Sequence, residues 1–585
     1  MKQFKIFVSI MLMALVGFTS CEKMMYVESD RYLYVDNNTL DSPNDSVYSL
    51  AGILSKMQLL GDQYVLLGEL RAELMDVTHN ANQDMIDLSN LEYHADNEFL
   101  NLTNYYAAIN NCNYLIQNMD SSVLVQGETR LKREVVAAKS IRAWVYLQLA
   151  LNYNGAFYYE HPILTIPESQ EVSSNEERYF LSKDDIFAAL EADLLPYVNY
   201  PMPEYGALGA DKVSYLIPSI RYLLGEIYLW QNRYQEAADM YMQDIIQNTK
   251  CVPKKNSSSY TEQPNLVVNE AFSNSFKEGF SFNNIWSQGF YLTEGVTPEI
   301  TCGIAYFTSN NFGRFNQSKL YKYTYTDYML APTEYAFDWF MSQPYRDQTV
   351  DEKGTRHNVV TTGDLRGLPG SIQYLTSNIK ANNYADEETR KIMENMPIAH
   401  EPIGSKMIST YRVNLTDLII LQRSTMAYLR YAEAINRAGK PTVALAVINN
   451  GLNSVTLKDS MIIAPSEMDT VYANQWANEA FLTNAGTRTR GQGPSIRVRF
   501  VFDKPAEDVE KIDSILFVEQ VLVDECGLES AFQGNRFHDL LRFTQHDGAP
   551  NYIGNALAKK HPERAAEFQA KGKDDWYIPY PTTQE

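Results

Sequence analysis

Motifs of catalysis are missing from this 585-residue chain. It carries no HExxH, GxSxG or Walker sequence, and no two of its 8 histidines have a spacing that suits a metal. Paired carboxylates of the glycosidase kind leave no such signature, so only the motif-bearing enzyme classes are excluded. Cysteine is scarce: the 5 residues are far apart, with no CxxC redox pair and no zinc ribbon. Cys112, Cys251, Cys302 and Cys526 are expected as small buried hydrophobes. Basic residues are outnumbered, 50 against 72 acidic, and the net charge of −22 repels phosphate backbones, which argues against nucleic acid as a general partner. Tryptophan is sparse at 6 while tyrosine reaches 40, so aromatic stacking can rely on tyrosine. Beyond the N-terminus no apolar run approaches membrane-spanning length.

What is present begins with residues 1–21. A short basic start carrying Lys2 and Lys5 precedes an almost wholly apolar stretch over 6–18, closed by Thr19, Ser20 and Cys21. That order describes a secretory signal peptide, too short to span a membrane comfortably. A cysteine directly after two small residues resembles the bacterial lipobox, with Phe18 departing from the usual leucine. The resemblance implies a signal peptide over 1–20 and a lipid on Cys21, which becomes the mature first residue. Removal of 1–20 takes two of the 50 basic residues and none of the 72 acidic ones, moving the net charge from −22 to −24.

Two segments share one helical pattern. Gly225, Tyr228, Ala237 and Tyr241 are spaced like Ala432, Ile435, Ala444 and Ile448, with turns at Asn232-Arg233 and Gly439-Lys440-Pro441. Small residues let paired helices approach closely, which is the tetratricopeptide device. Apolar periodicity predicts a long helix through Leu131–Leu151, sandwiched rather than superficial and stopping at Asn154-Gly155. Further helices are expected over 105–115, 183–195 and 512–523. Over about 251–418 helical periodicity fades, and Tyr321, Tyr323 and Tyr325 alternate as in an extended segment. The fold class is therefore mainly α. Tetratricopeptide-like hairpins over about 45–250 and 419–585 form one large domain, with a loop-rich, short-strand elaboration between them.

Several segments together are similar to the SusD/RagB family of outer-membrane lipoproteins. Beside Cys21 these are Phe517-Val518-Glu519-Gln520, Gln533-Gly534-Asn535-Arg536-Phe537-His538-Asp539-Leu540-Leu541-Arg542, Tyr431-Ala432-Glu433-Ala434-Ile435-Asn436 and Trp576-Tyr577-Ile578-Pro579. Asp184-Asp185-Ile186-Phe187 fits the helix before the first repeat pair. Glu529-Ser530-Ala531-Phe532 departs from the family's charged, alanine-rich turn, and Glu22-Lys23 is a faint version of the acidic tract linked to surface display. The resemblance implies a binding protein without catalysis. It would sit as a lid on a SusC-like TonB-dependent barrel, capture an oligosaccharide or oligopeptide, and meet it with the loop-rich face.

Two neighbourhoods are candidate ligand sites. Trp286, Tyr291, Tyr306 and Phe312 lie among Asn310, Asn311 and Arg314, the mix that stacks on sugar rings and satisfies hydroxyls. Asp76, His79 and Asn80 occupy a polar N-terminal loop, where solvated Asx-type turns are the competing reading. Asn80, Asn82 and Asp84 alternate oxygens but lack the glycine and distal glutamate of a calcium loop, so no metal or cofactor is assigned. Trp144, Trp230, Trp339 and Trp576 are expected in the framework, leaving Trp286 and Trp476 as free tryptophan platforms. The Gly-rich stretch 486–494 is expected as a mobile loop or a partner contact. Glycan binding, oligopeptide binding and a ligand-free envelope scaffold remain open at this point.

Overall fold

Helices dominate the computed structural model, which describes residues 43–122, 129, 131–165, 168, 179–203, 207–208, 211–247, 300–305, 329–350, 353, 355–364, 366–377, 408–413, 418–484, 486–492 and 496–580. The chain opens with α1 (Pro43–Gln58), α2 (Gly61–Glu69), β1 (Met75–Val77), α3 (Gln83–Ser89) and α4 (Thr103–Asn118). Next come α5 (Leu131–Tyr153), β2 (Gly155–Phe157), β3 (Phe180–Ser182), α6 (Lys183–Leu194), β4 (Ala207–Leu208), β5 (Asp211–Lys212), α7 (Ile220–Trp230) and α8 (Tyr234–Gln247). The middle holds β6 (Ile300–Ala305), β7 (Leu330–Pro332), α9 (Glu334–Ser342), β8 (Pro344–Val350), β9 (Arg356–Thr362), β10 (Ile372–Ser377), β11 (Ile408–Val413) and β12 (Leu418–Arg423). The C-terminal part contributes α10 (Ser424–Arg437), α11 (Pro441–Asn449), α12 (Thr470–Gln475), α13 (Thr489–Gln492), α14 (Lys511–Ser530), α15 (Arg536–Gln545), α16 (Tyr552–Lys560) and α17 (Ala565–Ala570).

The fold is mainly α, as the sequence pattern predicts. α5 is buried on nearly every side, and it stops where Asn154 turns left-handed at φ 59°. The two hairpins, α7–α8 and α10–α11, share their turn geometry. Asn232 and Gly439 take positive φ of 60° and 91°. The following N–H groups, of Arg233 and Lys440, reach back to the carbonyls of Tyr228 and Ile435 at 2.9 and 3.0 Å. That six-residue closure satisfies carbonyls the helix end would otherwise leave orphaned. Inside the first hairpin the approach is close: a Cβ on Gly225 would lie 2.8 Å from the Tyr241 ring. Ala432, Ile435, Ala444 and Ile448 are fully buried in the second. Side-chain caps start several helices, with Ser182, Ser219 and Thr333 accepting N–H groups of α6, α7 and α9.

The strands pair in antiparallel twos, and some pairs join distant sequence. β1 pairs with β7, matching Met75 to Pro332 and Val77 to Leu330. β6 pairs with β12, β8 with β9 and β10 with β11. One contiguous apolar core runs from Leu50 to Ile578 and takes in Cys302, Ile304, Leu330, Phe340 and Ile372 of the middle. Cys112, Cys302 and Cys526 are free and buried, as small hydrophobes would be, whereas Cys251 lies outside the described residues.

Two expectations need correction. Trp476 is fully buried against Tyr428, Tyr431 and Phe481, so it is core and not a platform. Its flanks Gln475 and Ala477 are exposed, but Tyr472, Ala473 and Trp476 share the inward face of a helical turn. The described part of the Gly-rich stretch, 486–492, is tied down rather than loose. Thr487 and Arg488 donate N–H to the carbonyls of Val447 and Ile448, and buried Gln492 donates to Asp364 at 3.1 Å. A Cβ on Gly486 would fall 2.4 Å from backbone atoms of α11, so glycine here serves close approach.

Candidate functional site

The N-terminal neighbourhood is built on β1. Asp76 keeps 45% of its side chain exposed, and its Oδ1 accepts from the Val77 N–H at 2.8 Å and from Ser89 Oγ at 2.7 Å. His79 is exposed on the turn that follows, and half-buried Asn80 donates its N–H to Thr78 Oγ1 at 3.2 Å. Thr78 donates its own N–H to the carbonyl of Met329 at 2.9 Å. The loop of Asp76, His79 and Asn80 is therefore pinned to the chain just before β7. The aromatic candidates Trp286, Tyr291, Tyr306 and Phe312, with Asn310, Asn311 and Arg314, lie outside the described residues, as do Cys21 and the tyrosines 321, 323 and 325.

A short basic run at the end of α16 holds this loop from behind, and sequence reasoning missed it. Buried Lys560 donates to the carbonyls of Leu70 and Met75, both at 2.8 Å, with Asp76 Oδ1 3.9 Å away. Burial pushes its ammonium pKa down to about 8, against the opposing pull of Asp76 and Glu73. His561 Nε2 lies 3.1 Å from the Ser89 carbonyl, and Arg564 Nη1 donates to the Asn90 carbonyl at 2.6 Å. Both meet the C-terminal end of α3, where the Arg564 guanidinium suits the helix dipole, while burial pulls the His561 pKa down. The signal was the density of basic residues at Lys559, Lys560, His561 and Arg564 beside a predicted polar loop.

Other candidates are engaged elsewhere. Asn82 spends its oxygen capping α3 through the Met85 N–H, and Asp84 accepts the Glu98 N–H, so the alternating oxygens of Asn80, Asn82 and Asp84 do not converge as a calcium loop. Asp87, Glu92 and His94 do gather ligand atoms within 4.8 Å, with Asp87 buried, Glu92 and His94 exposed, and the imidazole 3.9 and 4.0 Å from the two acids. Tyr335 and Trp339 stack with ring centroids 5.9 Å apart on α9. The Lys559 ammonium lies over Tyr335 at 4.6 Å and the Arg536 guanidinium over Trp339 at 5.9 Å. Each ring already carries a cation, so this pair is framework. Trp144, Trp230 and Trp576 are buried as expected.

The C-terminal motif is structural glue. The Glu69 carboxylate at the end of α2 accepts the N–H groups of Phe532, Gly534, Asn535 and Arg536 at 2.7–3.3 Å. Gly534 turns at φ 89°, and a Cβ on Gly68 would collide with its carbonyl oxygen at 1.9 Å. Arg536 pairs with Glu73 inside the fold. Arg71 lies 3.7 Å over the Phe537 ring and donates to Asn152 Oδ1 and the Trp576 carbonyl, both at 2.9 Å. His538 is buried, and burial drives its pKa down to about 3, so it stays neutral beside Asn152. Arg542 grips Glu433 with two 2.8 Å bonds, joining α15 to α10. A small cavity of about 40 Å³ lies at this junction, lined by Trp144, Gln148, Glu226, Gln422, Arg430 and Asp539 among others. Its charges are paired with one another, so the geometry points to packing.

Residues 304–584 match the family model of the SusD family. A SusD superfamily protein from Bacteroides vulgatus ATCC 8482 is similar in structure, with 17% identity, a TM-score of 0.50, and 92% of this chain and 96% of that one covered. Another from Bacteroides thetaiotaomicron VPI-5482 has 15% identity and a TM-score of 0.49 over 88% and 93% of the two chains. Among curated proteins no relative matches the chain. Residues 304–584 are thus similar in sequence to the SusD family, and the fold is that of the Bacteroides vulgatus SusD superfamily protein. No helix among the described residues is long and apolar enough to cross a membrane.

Proposed function

We propose that this protein is a cell-surface lipoprotein of the outer membrane that binds a glycan nutrient and delivers it to a SusC-like TonB-dependent barrel. Residues 1–20 are its signal peptide, Cys21 carries the lipid, and residues 21–585 act as one domain without catalytic activity of their own. The match of residues 304–584 to the SusD family is the observation that carries this reading. The pairing of β1 with β7 supports it locally, because it joins the loop of Asp76, His79 and Asn80 to the chain that follows Trp286, Tyr291, Tyr306, Asn310, Asn311, Phe312 and Arg314. The aromatic rings stack on the apolar faces of sugar rings. The Asp76 carboxylate, already oriented by Ser89, accepts from hydroxyls that have lost their water.

Native electrophoresis through gels containing single polysaccharides tests the site. The wild-type protein is retarded by one of them, and Trp286→Ala or Tyr306→Ala removes that retardation while leaving the circular dichroism spectrum unchanged. Equal retardation of both variants would move the site elsewhere.

A further inference from the structure

Residues 496–502 run beside α11 as an extended segment that no strand accompanies among the described residues. Exposure alternates along it: Arg497, Arg499 and Val501 are exposed, while Ile496, Val498, Phe500 and Phe502 are half-buried. That is the period of a strand with one face turned inward. The inner face is anchored, since the Phe500 and Phe502 rings stack 5.8 Å apart and both pack on Phe517 of α14. One edge is already occupied. Asn449, the last residue of α11, donates Nδ2 to the Val498 carbonyl at 2.9 Å and accepts the Val498 N–H at 3.0 Å. The amide thus imitates a neighbouring strand for a single residue.

In an extended chain the N–H and C=O of Arg497 and Arg499 point to the opposite edge, and there they have no backbone partner among the described residues. The two guanidiniums have no ion pair with any described residue either, on a protein whose net charge is −22. The loop that follows exposes Asp503, Glu507, Asp508 and Glu510, and its Lys504 is paired with Asp513, so the unpaired positive charge here is that of Arg497 and Arg499.

We propose that this edge docks an extended segment of another protein, one carrying carboxylates at alternate positions with apolar residues between them. An added strand would satisfy the open main-chain groups, and its carboxylates would lie beside Arg497 and Arg499. A second copy of this chain is a poor occupant, because antiparallel pairing about Val498 would set Arg497 against Arg499. Unlike an edge blunted by charges of both signs, this one repels its own kind and leaves an acidic strand as its match.

Fluorescence anisotropy of a labelled Thr-Glu-Val-Glu-Val-Glu-Thr peptide, titrated with the mature chain, tests the assignment. The peptide binds, and the Arg497→Glu/Arg499→Glu double variant, whose altered side chains face solvent, weakens binding by about tenfold or more. Methylating alternate peptide nitrogens weakens it by a similar factor, since strand pairing needs those N–H groups. Absence of binding, equal binding by the double variant, or equal binding of the methylated peptide would each overturn the proposal, the last by reducing the contact to charge alone.

Discussion

Glu433 and His546 show what single residues contribute here. Burial alone would raise the Glu433 carboxyl, yet the Arg542 guanidinium and His546 bring it down to about 2. His546 is fully buried, 2.7 Å from Glu519 and 3.3 Å from Glu433. Burial pulls its pKa down, but the two carboxylates outweigh burial and raise it. Around it Arg430, Arg437 and Arg542 face Glu226, Glu433, Glu519 and Asp539, so a protonated His546 supplies the fourth positive charge. A histidine whose folded pKa lies above its unfolded value stabilises fully below that unfolded value, near 6.5, and the contribution fades as pH rises through the folded pKa. The stability lost between about pH 6 and about pH 9, read as the urea midpoint, should therefore be smaller in His546→Gln than in the wild type, while Glu69 and Lys560, both displaced to about 8, titrate alike in the two proteins. An unchanged drop in that variant would show that another group titrates.

At the scale of elements, the hairpins hold through small residues and shaped turns. With the Tyr241 ring 2.8 Å from a Cβ at position 225, Gly225→Val forces the ring or a helix to move and costs about 1–3 kcal/mol. Gly52 makes the contrast: it is exposed in α1 with nothing within 4 Å of a Cβ, and Gly52→Ala stabilises by about 0.5–1 kcal/mol. Chemical denaturation of both variants checks the pair of signs. The same elements show what a sequence can yield. α5, α7–α8 and α10–α11 are legible because their information is local: periodicity over one helix, small residues one turn apart, Asn or Gly where the chain reverses. The β1–β7 pair was not legible, since three-residue strands far apart in the chain carry no pattern of their own. The Gly-rich stretch misled for a related reason, as glycine reports flexibility and close approach with the same letter.

For the whole molecule, the charged residues of the C-terminal motif turn inward and cement helices, so the segments that resemble the family are skeleton. The ligand side was legible only as composition. Asp76, His79 and Asn80 do share one polar turn, but Lys560, His561 and Arg564, which fix that turn, come from the other end of the chain. The account's central claim is that this skeleton presents a glycan-binding face. Isothermal titration calorimetry of the form starting after Cys21, against a panel of polysaccharides and a mixed oligopeptide digest, tests it most directly. The account predicts heat from one class of glycan and none from the digest; heat from the digest alone would contradict it.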